Sequence, residues 1–125
     1  MNRPTRQVLI FAAILLSAVP AVAHHSYAMF DARKQMTLEG TVKAVQWNNP
    51  HCFIQVLVPH GADTEEWSIE MGSPLHLVRN GWKPGSLKAG DRIAVTLHPM
   101  LDGSRGGSYM SVIGPDGKAI GTSFQ

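Results

Sequence analysis

Three histidines stand where residue type and position allow metal chemistry. His24 and His25 lie directly behind Ala21-Val22-Ala23, and His51 lies behind Asn48-Asn49-Pro50. An Ala-x-Ala after an apolar run reads as an export cleavage site, and a cut after Ala23 makes His24 the first residue. A histidine there carries a free α-amine beside its own Nδ1, and the two close a six-membered chelate ring on one ion. An amine with an ordinary pKa of roughly 8 and an imidazole near 6.5 are both available at neutral pH. A third nitrogen completes a T-shaped, all-nitrogen site suited to Cu(II). His51 is the expected third ligand, with His25 as a further nitrogen. The bland alternative makes His24 and His25 solvated residues of a frayed terminus. It makes His51 a structural residue hydrogen-bonded to loop backbone near Asn48 or Asn49.

The other candidates carry less. His98 and Met100 form a His-x-Met pair able to hold Cu(I), although Met more often fills gaps in cores. His60 and His76 read as a solvated loop residue and an exposed helix residue. Asp31 is either a turn residue or an acceptor behind a ligating imidazole. Cys52, the single cysteine, excludes an internal disulfide and reads as a small buried hydrophobe. Alternation along a strand sends His51 and Cys52 to opposite faces, so they do not share an ion.

The elements that must position these residues begin with a leader sequence. Arg3 and Arg6 precede an apolar run from Val8 to Val19, and Pro20 breaks the run ahead of the cleavage site. The run is far shorter than the roughly 20 residues of a spanning helix. Residues 1–23 therefore read as a removable signal peptide that leaves no stable membrane anchor, and 24–37 as an extended leader. The remainder, 38–125, reads as one domain. Cleavage takes two of the 11 Lys and Arg, leaving nine against nine Asp and Glu. That balance argues against a nucleic-acid partner.

Within the domain, 38–47 alternates, with Gly40 suggesting a bulge or bend. Residues 51–58 form the clearest strand, with Cys52, Ile54, Val56 and Val58 on its core face. Residues 59–66 read as a loop, and 67–71 as a strand facing inward with Trp67, Ile69 and Met71. Ser73 and Pro74 open a helix over 74–80, Gly81 closes it, and Leu75, Val78 and Trp82 make its inward stripe. Strands at 92–98 and 108–113 follow, the first with Ile93, Val95 and Leu97 inward, and residues 114–118 suggest a small hairpin with the tail. Three strands, a short helix and two strands predict an all-β fold, a five-stranded OB-fold-like barrel.

The ordered set "HHSYAMFD", "WNNPH", "GSP", "RNGW", "LKAGD" and a late "DG" resembles a bacterial family of small exported proteins whose domain has no assigned function. The resemblance spans nearly the whole chain after residue 23. His24, His25, Asn49, Pro50 and His51 fall on its pattern; His60, His76 and His98 do not. It implies export and a small β-rich domain, and it brings no activity. The amino-terminal arrangement is similar to the histidine brace of copper-dependent polysaccharide oxygenases and periplasmic copper carriers, in the brace alone.

No hydrolase motif, phosphate loop or zinc-ligand spacing is present in the sequence, so catalysis is not expected, a copper oxygenase being the least improbable enzyme. Two readings remain for a periplasmic or secreted protein. One is copper binding through the amino-terminal histidine. The other is a non-catalytic interaction module that takes a peptide, glycan or protein partner on the barrel's open face.

Overall fold

The computed structural model describes residues 27–123. The predicted signal peptide, His24 and His25 lie outside the described residues. The elements run β1 (Met36–Gln46), β2 (Phe53–His60), β3 (Asp63–Glu70), α1 (Pro74–Arg79), β4 (Arg92–Pro99) and β5 (Gly106–Ile113). The sheet closes on itself in the order β1-β2-β3-β5-β4. All contacts around it are antiparallel except β3 with β5, which run parallel. This is the predicted mostly-β fold with one short helix, an OB-like barrel. Among the described residues, no helix is long and apolar enough to cross a membrane.

Alternation fills the interior as the sequence suggests. Ile54, Val56, Ile69, Val95 and Leu97 are all fully buried, with Cys52 among them. The Cys52 thiol donates to the Asn48 carbonyl at 3.7 Å, and burial pushes its pKa up.

Four details depart from the sequence reading. The expected loop at 59–66 is a tight hairpin: β2 runs on to His60, which pairs with Asp63 across a two-residue turn. Gly61, at φ 61°, makes that turn accessible. Gly40 does not mark a bulge. It pairs in register with Ile93, and the irregularity falls between Val42 and Ala44. Gly40 is needed because a Cβ there would collide with the Leu57 carbonyl and Val56. The helix stripe also differs. Leu75 and Val78 are exposed, while Leu77 and Trp82 are buried. Ser73 caps α1 by accepting from the His76 N–H at 3.3 Å, as predicted. At the far end, Gly81 and Trp82 donate to the Val78 and Leu77 carbonyls at 3.2 and 3.0 Å. This reversal, with Gly81 at φ 87°, swings Trp82 into the core instead of continuing the helical stripe. Finally, β5 begins at Gly106, two residues ahead of the expected start at Ser108. A Cβ at Gly107 would meet the Leu97 side chain and the His98 carbonyl.

The leader is docked on the barrel. Tyr27–Met29 forms a 3-10 turn, and Phe30 is buried and bridges to Met100. The Asp31 N–H donates to the Pro99 carbonyl at 2.8 Å, and the Leu101 N–H to the Met29 carbonyl at 2.9 Å. The leader thus adds a short antiparallel stretch beyond the end of β4. Beyond β5, Ile113 bridges to Ala119, the small hairpin expected there.

Candidate metal-binding cleft

His51 precedes β2, after a cis Asn49–Pro50 bond. Cys52 continues the ladder beside it: its N–H donates to the Gly72 carbonyl, and its carbonyl accepts from Met71. With Cys52 directed into the core, His51 is turned outward, and its side chain retains 29% exposure. Its Nδ1 is hydrogen-bonded to the Glu70 carboxylate. A carboxylate accepts and cannot donate when ionised, so Nδ1 carries a proton, and in the neutral imidazole Nε2 is then the lone-pair nitrogen. An imidazole backed in this way by a carboxylate is the arrangement that fixes ring orientation in metal-ligating histidines.

Glu70 starts a row that crosses the outside of the sheet. It pairs with Ser108 on β5, and Ser108 pairs with His98 on β4. His98 also has its Nδ1 committed, donating to the Lys34 carbonyl at 2.6 Å, which leaves Nε2 as its lone-pair nitrogen. These residues share a cleft of about 890 Å³ whose walls include Tyr27 and His76. Tyr109 forms part of the same wall; burial pushes its hydroxyl up to about 12, so it stays protonated at neutral pH. Its ring meets Trp82 edge to face at 5.7 Å, tying the cleft to the core.

The remaining candidates have other roles. His76 receives the Asn80 side-chain amide on Nε2 at 3.4 Å at the end of α1, yet its ring reaches the cleft wall. His60 is exposed and lies 3.8 Å from Glu65, which also pairs with Arg105 at 2.9 Å. Met100 contributes to the leader bridge. Asp31 is a turn residue: its Oδ1 accepts from the Arg33 backbone N–H at 3.2 Å and from the Arg33 Nε at 3.4 Å. Its other oxygen faces the Lys34 ammonium at 3.5 Å. Burial alone would raise this carboxyl, but the Arg33 donors and Lys34 outweigh it and hold it below the ordinary carboxylate range.

Among the described residues, no three His, Cys, Asp or Glu side chains are grouped to hold a metal ion. The barrel brings His51 and His98 to one cleft; His24 and His25 lie outside the described residues. Glu70 is the cleft residue that sequence reasoning passed over. Its signal was present in "WSIEM": alternation puts Glu70 opposite Trp67, Ile69 and Met71, on the face that His51 shares once β2 and β3 pair.

No curated protein and no solved structure matches the chain. The profile of a family of unknown function, DUF6152, matches residues 13–109, and the chain belongs to that family.

Proposed function

We propose that this chain is exported to the periplasm or beyond, loses residues 1–23, and binds copper through its new amino terminus. The His24 amine and Nδ1 chelate Cu(II), and His51 Nε2 supplies the third nitrogen, with His25 as a further donor. The observation that carries this reading is the cleft shared by Tyr27 and the carboxylate-backed His51. Tyr27 follows His24 by three residues, a span of up to about 10 Å. The ordering cost of the leader, of order 1 kcal/mol or more per residue, is offset over Tyr27–Asp31 by the burial of Phe30 and the two backbone hydrogen bonds to the Pro99–Leu101 segment.

Intact mass of the exported protein, recorded with and without Cu(II), tests cleavage and stoichiometry together. The expected species begins at His24 and gains one copper. A membrane-bound chain retaining Met1, or a chain from His24 that takes up no copper, would contradict the proposal. The competing reading, an interaction module for a peptide, glycan or protein, draws on Tyr27, Met29 and Leu101, which are exposed on and beside the docked leader.

A further inference from the structure

We infer that Glu70 is a positioning residue that selects His51 over His98 as the barrel's metal ligand and biases the site toward Cu(II). The inference rests on the copper reading above. The cleft holds two imidazoles with the same tautomer, each donating through Nδ1 and each keeping Nε2 as the lone-pair nitrogen. What separates them is the acceptor. His98 donates to a neutral amide carbonyl, that of Lys34. His51 donates to a carboxylate whose side chain is only 18% exposed, so its negative charge is weakly screened by water.

A hydrogen bond to an anion draws the Nδ1 proton away and raises electron density on Nε2, making it the stronger base toward a cation. The benefit is greater for a doubly charged ion than for a singly charged one. Glu70 therefore does two separable things: it fixes the ring, and it charges the ring's donor nitrogen. Ser73 and Ser108, also on the cleft walls, carry no charge that could do the same for His98.

Substitutions at Glu70 separate the two contributions in the full chain beginning at His24. Glu70→Gln keeps an oxygen that can accept from Nδ1 but removes the charge. Glu70→Asp keeps the charge on a shorter arm, and His98→Ala removes the rival imidazole. The measurements are Cu(II) titration, the paramagnetic resonance count of equatorial nitrogens, and the Cu(II)/Cu(I) midpoint potential. Glu70→Gln is expected to weaken Cu(II) binding about 10–100-fold and to raise the midpoint potential. Glu70→Asp should restore much of both, and His98→Ala should keep the parent spectrum. Parent-like affinity and potential in Glu70→Gln would overturn the inference, as would loss of a nitrogen in His98→Ala but not in His51→Ala.

An extra alanine ahead of His24 distinguishes this claim from the brace itself. Copper lost on extension, with no response to Glu70→Gln, overturns the Glu70 assignment alone. Copper retained on extension but weakened by Glu70→Gln supports the assignment and removes the brace.

Discussion

Asp31 is tied to its own neighbours in the leader by charge and to the barrel by its backbone. Its carboxylate gathers Arg33 and Lys34 while its own N–H reaches back to Pro99. Because its folded pKa is depressed below the ordinary 3.8, its contribution is complete above that value and is lost as pH falls through the folded pKa. The parent should therefore lose thermal stability more steeply than Asp31→Asn on acidification below about pH 4. Parallel pH–melting curves for the two would contradict this. At this scale the sequence is informative about residue type and poor about partners. The outward aspect of His51 follows from alternation, and so does the burial of Cys52. Glu70 escapes notice because its meaning depends on a cross-strand neighbour 19 positions back. Asp31 keeps two readings in the sequence, and only the positions of the Arg33 and Lys34 side chains decide between them.

Single elements were legible where a local rule decides them. The Ser73-Pro74 start of α1 and the Gly81 reversal are local, and both stand. The inward stripe of α1 is not local, since six residues make too short a helix for periodicity to fix its buried face. Likewise, Pro59 and Gly61 favour a loop by composition, yet the hairpin wins because pairing extends without a break from Phe53–Glu70 to His60–Asp63. Gly40 matters through tertiary proximity of β1 and β2. Gly40→Ala places a methyl against the Leu57 carbonyl, and the backbone must move to admit it. The expected cost is about 1–3 kcal/mol, read as a lower denaturant midpoint with an unchanged slope. A midpoint equal to the parent's would show that β1 and β2 separate freely there.

For the whole molecule, strand order was readable because three strands, a helix and two strands leave few ways to close a small sheet. The docking of the leader was not, because no periodic pattern marks a bridge such as Phe30 to Met100. Phe30 lies outside the main core cluster, so its loss should free the leader and leave the barrel standing. Phe30→Ala is expected to speed hydrogen exchange at the Asp31 and Leu101 amides, with β2 and β4 amides little changed; equal protection at Asp31 and Leu101 in the variant and the parent would refute that independence. Docking places Tyr27 on the wall of the His51 cleft. Joint binding of copper by His24 and His51, as proposed, is tested by copper titration of three chains. These are the chain beginning at His24, the same chain with one alanine ahead of His24, and His51→Ala. Tight one-to-one binding is expected for the first and a large loss in the other two. Equal copper affinity across all three would contradict it.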